Sequence, residues 1–174
     1  VDGTTEFHTM CAAVIPQASS ILEIGAGPSN PTSRFLSTFG EVIGLDVDPK
    51  VTTNKYLTKS FILENDFFPF REGSFDACVS NYVLEHVANP AFHLSEVFRI
   101  LKPSGIYVFR TPNFFHYVSL ISRVTPYWFH RLVANRLRNI PLKDGGPYPT
   151  YYRLNSRRQL IKLSTLVEIG RAHG

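Results

Sequence analysis

Cysteine is nearly absent from this sequence: Cys11 and Cys78 are the only two in 174 residues. Two thiols without metal-type spacing exclude a disulfide framework, argue against zinc or any other metal, and point to a reducing cytoplasmic setting. Long apolar runs are absent as well. The longest charge-free apolar stretch of the C-terminal part, residues 111–122, falls far short of the ~20 residues that cross a bilayer. The acidic N-terminus has no Met and is not a signal peptide, so a soluble protein is expected, and the start at Val1 suggests a piece of a longer reading frame. Repeats and low-complexity segments are missing too, which leaves a single globular domain for a chain that is 44% hydrophobic and 18% charged. The last scarcity is local. Residues 113–174 hold only 2 acids against 10 Lys/Arg, a net of +8, whereas residues 1–112 hold 12 acids against 8, a net of −4. An acidic body and a basic C-terminal third are expected to meet different things.

Hydrophobic period and punctuation order the body. Residues 7–15 are apolar at helical spacing and stop at Pro16. Residues 20–25 read as a short strand entering a glycine loop, 25–30, and residues 32–39 as a helix. Further strands are expected at 42–46, within 56–63, at 75–81 and at 106–110. Asn89 is a helix N-cap and Pro90 a first helical residue, with Leu94, Val97, Phe98 and Leu101 on one apolar face. The run Lys102-Pro103-Ser104-Gly105 reads as the turn into the next strand. Strands alternating with helices imply βαβ units and a parallel, doubly wound α/β sheet, whose ligands bind outside the carboxyl ends of the strands.

The first loop of that kind is Glu23-Ile24-Gly25-Ala26-Gly27-Pro28-Ser29-Asn30. Glycines at a strand-to-helix turn let backbone N–H groups approach a ligand, although such turns also serve packing alone. Two neighbours narrow the choice. Asn30 occupies the position where a dinucleotide fingerprint needs Gly or Ala. Glu23 lies beside the space a pyrophosphate would fill, where like charges ~4 Å apart cost about 4 kcal/mol at an effective dielectric near 20. An acid there suits an ammonium group. Asp46 ends the second strand 21 residues after Gly25, the usual place for a carboxylate that binds ribose hydroxyls. The ligand implied has an adenosine-like end and a cationic end, without a diphosphate.

Residues 22–27, Gly44-Leu45-Asp46, Asn65-Asp66-Phe67, Gly73-Ser74-Phe75-Asp76 and Val83-Leu84-Glu85-His86-Val87, followed by Arg99-Ile100-Leu101-Lys102-Pro103-Ser104-Gly105, stand in that order. The set resembles class I S-adenosylmethionine (SAM)-dependent methyltransferases of the small-molecule branch. The resemblance spans residues 19–112 and implies a Rossmann-like, mainly parallel sheet that lacks the family's last two strands. It further implies that Gly25 and Gly27 pass under the methionine part of SAM and that Glu23 faces its ammonium. Asp46 would take the ribose hydroxyls, with Val47 against the adenine. Asp66 and the Phe67 N–H would meet adenine edges, and Asn81 would lie near the transferable methyl. His86 follows the fourth strand, where an acceptor could sit, and an imidazole there suits a general base or an acceptor contact; a structural histidine is the competing reading. Asp76, after a Gly-Ser turn, is expected to hold backbone rather than ligand. The Asn/Asp-Pro-Pro-Tyr/Phe signature of many base and glutamine methyltransferases is absent after Ser80, which counts against adenine-amino methylation. The alternatives from other classes are an NAD(P)-dependent oxidoreductase and a SAM-binding protein without catalysis.

The segment 113–154 interleaves Arg123, Arg131, Arg136 and Arg138 with Tyr127, Trp128 and Phe129, among other cations and rings. It reads as two short amphipathic helices broken at Pro126, and the resemblance implies a cover over the acceptor pocket. We favour a lid whose cations select a small-molecule acceptor that is anionic or membrane-resident. Peripheral contact with anionic lipid through 113–154 is a second reading. RNA is a third, less expected one. Residues 155–174 begin a further helix capped at Asn155-Ser156; the tail 168–174 reads equally as a helix end at Gly170 or as sequence foreign to the protein.

Overall fold

The computed structural model of the chain describes residues 3–111 and Tyr151. Its first helix, α1, spans Gly3–Val14, four residues earlier than apolar spacing suggests. Spacing reports only buried positions, here Phe7 and Cys11, and misses the polar first turn, where Glu6 suits the positive end of the helix dipole. Strand β1, Ser19–Ile24, is buried along nearly its whole length and runs into the glycine loop. Helix α2, Pro31–Leu36, starts behind Asn30, whose Oδ1 accepts the N–H groups of Thr32 and Ser33 at 2.8 and 3.0 Å. It ends before residue 39 because the chain must turn into β2, Gly40–Asp46. A short 3₁₀ turn, Pro49–Thr53, leads to β3, Lys59–Ile62. Strand β4 spans Phe75–Asn81 as expected. Helix α3, Pro90–Ile100, starts behind the Asn89 cap that the sequence shows.

Strand β5 corrects one reading. It spans Leu101–Arg110 and so includes the Lys-Pro-Ser-Gly run expected to be a turn. Leu101 pairs with Phe75 and Ile106 with Ala77, so the intervening residues form an irregularity within the ladder. Ser104 takes a left-handed φ of 68° there. Lys102 uses the excursion to reach Asp76, its Nζ lying 2.9 and 3.0 Å from the two carboxylate oxygens. Asp76 also accepts the Ser20 N–H at 2.8 Å, so it holds backbone as expected. That hydrogen bond and the Lys102 ammonium keep its carboxyl below the ordinary carboxylate range.

The five strands lie parallel in the order β3-β2-β1-β4-β5. Alternation assigns the faces. Ile21, Val42, Ala77, Val79 and Val108 cluster with Phe7 and Cys11 of α1 and Leu36 of α2. Leu22, Ile24, Leu45 and Cys78 cluster instead with Val97 and Ile100 of α3. Helices therefore cover both faces, and the direction of winding reverses between β1 and β4. Loops from adjacent strands part at such a switch point and leave a crevice at the carboxyl ends. The expected elements in 113–150 and 155–174, and any further strands, lie outside the described residues.

Candidate functional site

A cleft of about 460 Å³ opens at that crevice, within the usual range for small-molecule sites. Ile24 and Gly25 bring the end of β1 to it, Leu45, Asp46 and Val47 the end of β2, and Leu63, Asp66 and Phe68 the loop after β3. Tyr82, Val83, His86 to Asn89, and His93 add to the lining. Tyr151, from the segment expected to form a lid, also lines the cleft, and its N–H donates to Glu85 O at 2.6 Å.

Gly25 and Gly27 have φ values of 72° and 53°, the left-handed region that glycine enters without a Cβ penalty. A Cβ on Gly25 would in addition overlap Val83 Cγ2. Gly25→Ala is expected to cost about 1–3 kcal/mol of stability in urea unfolding. Adding Val83→Ala should restore part of the loss, because the overlap is removed while the backbone strain stays. Two asparagines fasten the loop from below. Asn30 Nδ2 donates to Ala26 O at 2.7 Å and to Ser33 Oγ at 2.8 Å. Buried Asn54 donates to Gly27 O at 3.2 Å, Pro28 O at 3.3 Å and Ser33 Oγ at 2.8 Å. Because Asn30 Oδ1 takes the first free amides of α2, the donors that a dinucleotide's pyrophosphate would use are already closed.

Glu23 sits at the end of β1, 4% exposed, and its Oε2 has no hydrogen-bond partner. Burial pushes its pKa up from 4.5 to about 7; the Ser33 and Asn30 side chains oppose the rise, and the charge of Asp46 adds to it. A buried acceptor without a donor is costly unless something supplies one. An orphaned carboxylate oxygen beside a glycine loop suits an ammonium group and repels a phosphate.

Asp46 lines the cleft with both oxygens fixed by backbone: Oδ2 accepts the Gly27 N–H at 2.7 Å and Oδ1 the Asp48 N–H at 2.8 Å. These bonds orient the carboxylate and leave it further lone pairs for hydroxyl donors. Val47 follows, 55% exposed on the cleft wall, an apolar surface of the kind a flat ring covers. Exposed Asp66 and fully buried Phe68 line the same cleft.

Four residues expected to contact a ligand are not among those lining the cleft: buried Glu23 and Gly27 of the glycine loop stand next to it, and Phe67 and Asn81 are engaged elsewhere. Phe67 does not line the cleft: its N–H donates to Asn65 Oδ1 at 2.9 Å, and its ring lies 4.8 Å from the Arg99 guanidinium. The short Asn65 side chain makes a local turn that consumes the donor meant for a ligand. Asn81 stands at the end of β4 but off the cleft wall, with Oδ1 accepting Arg110 Nε at 2.9 Å and Nδ2 donating to Thr32 Oγ1 at 3.4 Å. Tyr82 takes the wall position instead. It has φ 60°, a conformation costing a bulky residue roughly 1–2 kcal/mol, and Arg110 lies 4.4 Å over its ring.

His86 lines the cleft on the 3₁₀ turn Leu84–His86, as the sequence suggests. His93 was not singled out by sequence, although it lies four residues before Val97 and so shares its buried face. It is 8% exposed, packs edge-on to Phe68 at 5.4 Å, and its Nε2 has no partner. Burial pushes its pKa down to about 4, so the ring is neutral near pH 7. Asn54 and Tyr82 were missed as well, since neither belongs to a spacing pattern. Among the described residues no cluster of His, Cys, Asp and Glu has the makings of a metal site, and no helix is long and apolar enough to cross a membrane.

The family model described as a methyltransferase domain matches residues 22–109. A demethylmenaquinone methyltransferase of Tropheryma whipplei is 27% identical over 145 residues, covering 77% of this chain and 57% of that protein. An uncharacterized methyltransferase of a Mycobacterium species is 29% identical over 101 residues, 53% of this chain and 38% of that one. The chain therefore spans less than two thirds of the curated relatives it matches. Among solved structures, a SAM-dependent methyltransferase of Methanosarcina mazei superposes with a TM-score of 0.63 at 17% identity, over 91% of this chain and 82% of that one. One from Mesorhizobium loti gives 0.56 at 24%, over 64% and 55%. Both likenesses are of fold.

Proposed function

The chain belongs to the methyltransferase domain family, and from that premise we propose that it transfers a methyl group from SAM to a small-molecule or lipid-like acceptor. SAM is the cofactor that this membership brings. The observation that carries the reading is Glu23: a buried carboxylate oxygen without a donor, beside the glycine loop, fits the amino acid end of SAM and no phosphate. Asp46 would hold the ribose hydroxyls, Val47 and Phe68 would cover the adenine, and Asp66 would accept from its edge. Gly25 would let the backbone approach where a Cβ collides with Val83.

Bound SAM supplies an activated sulfonium methyl, so the difficult chemistry arrives with the cofactor. What falls to this chain is orientation: holding the acceptor atom in line is worth ~7–11 kcal/mol of barrier. Tyr82, held in its strained conformation beside Arg110, and His86 line the cleft after the end of β4, where an acceptor would enter. His86 would serve as base only for an acceptor that must lose a proton. The aromatic, basic segment 113–154 would cover that end and favour an anionic or membrane-resident acceptor. The presence of Tyr151 in the cleft supports such a cover. The Tropheryma relative is named for demethylmenaquinone, and that name supports a small-molecule acceptor.

Incubation with methyl-labelled SAM and a fractionated cell extract tests the reading. Label is expected in a small-molecule or lipid fraction, as a product heavier by about 14 Da. Label confined to protein or RNA would contradict the acceptor class.

A further inference from the structure

The loop after β3 carries Asp66 and Phe68 to the cleft without helix or strand of its own, so something must fix it. Two side chains of α3 do. Glu96, 4% exposed, accepts the Phe68 N–H on Oε2 at 2.8 Å. Arg99 forks onto the same carboxylate, with Nε 2.7 Å from Oε1 and Nη2 2.7 Å from Oε2. Two further guanidinium donors return to the loop, Nη2 to Phe68 O at 3.0 Å and Nη1 to Phe70 O at 2.8 Å. Three backbone atoms of the loop are thus tied to one planar, charge-assisted pair. Asp66 is the central residue of the Asn65–Phe67 side-chain turn, which directly precedes the tie at Phe68.

We propose that Glu96 and Arg99 are positioning residues for the cofactor's adenine end, acting through the loop that presents Asp66 and Phe68. The proposal rests on the reading of the cleft as a SAM site. A tie of this kind serves binding because a ligand gains most from groups already held in place. Arg is the residue the geometry requires: Lys keeps the charge but lacks the fork that reaches Glu96 and two carbonyls together.

The test compares Arg99→Lys, Glu96→Gln and the unaltered protein by calorimetry with three ligands, and follows exchange of the Phe68 amide hydrogen. S-adenosylhomocysteine carries both ends of the cofactor, methylthioadenosine lacks the amino acid, and S-ribosylhomocysteine lacks the adenine. Arg99→Lys is expected to weaken the first two equally, by roughly 10–100-fold, to leave S-ribosylhomocysteine unchanged, and to speed exchange at Phe68. Combining it with Asp66→Asn should add little to the larger single effect. Equal losses for all three ligands, full additivity with Asp66→Asn, or unchanged affinity for S-adenosylhomocysteine would overturn the proposal. If Arg99→Lys does not fold, Glu96→Gln answers the same comparison, because Gln retains an acceptor for the Phe68 amide. Failure of the unaltered protein to bind S-adenosylhomocysteine would overturn the underlying reading as well.

Discussion

Glu23→Gln is expected to make the ligand-free protein more stable at about pH 8 and to weaken its binding of S-adenosylhomocysteine roughly 10–100-fold. Both effects come from one buried carboxylate. Its pKa in the folded chain is about 7, raised by burial from 4.5. The folded state thus favours the neutral acid, and the associated stability is fully present below the unfolded value and lost as pH rises through about 7. Above that range the buried charge costs on the order of 3 kcal/mol, at about 1.4 kcal/mol per pKa unit. Gln is never charged and escapes this cost. An ammonium ligand prefers the carboxylate, so affinity in the unaltered protein should rise with pH up to and beyond 7. Near pH 7, binding should release about half a proton. Titrations in two buffers of different ionisation heat measure that release, which the Gln variant should not show. Equal affinity in the variant, or proton uptake by the unaltered protein, would remove Glu23 from the site.

Asp46→Ala is expected to do the opposite to stability. The side chain holds the amides of Gly27 and Asp48, and each charge-assisted bond is worth about 1.5–3 kcal/mol. Water can reach part of this site, so a loss of about 2–4 kcal/mol in urea unfolding is the expected sum. Binding suffers twice, through the missing ribose contact and through the loosened glycine loop. A loss of at least about 100-fold is expected for S-adenosylhomocysteine and equally for methylthioadenosine. The two variants are thereby separable: Glu23→Gln should spare methylthioadenosine, which has no ammonium, and Asp46→Ala should not. Asp46→Asn retains one acceptor but sets its own NH₂ against the other backbone amide, so most of the defect should remain.

Much of this was legible before the structure. The caps at Asn89 and Pro90, the β4 boundaries and the alternation that gives two covered faces follow from local chemistry that acts within a few residues. That Gly25, Asp46, Val47, Asp66 and His86 share one cleft wall was legible because loops after parallel strands converge by topology; the burial of Glu23 on β1, off that wall, was not. What stayed hidden depends on partners distant in sequence. Phe67 loses its donor to Asn65, a choice between two acceptors that no spacing announces. Asn81 pairs with Arg110 across 29 residues, and Asn54 reaches back to the glycine loop. Tyr82 adopts a positive φ where the sequence has no glycine to mark it. The Lys102–Gly105 run looks like a turn, yet β4 holds both of its flanks in register.

The most direct measurement is a calorimetric titration of the protein with S-adenosylhomocysteine and, separately, with NADH. Saturable binding of S-adenosylhomocysteine at about micromolar affinity, with no binding of NADH, is the result expected if Glu23 and the self-capped α2, flanking the glycine loop, disfavour a diphosphate. Binding of NADH with none of S-adenosylhomocysteine would contradict it.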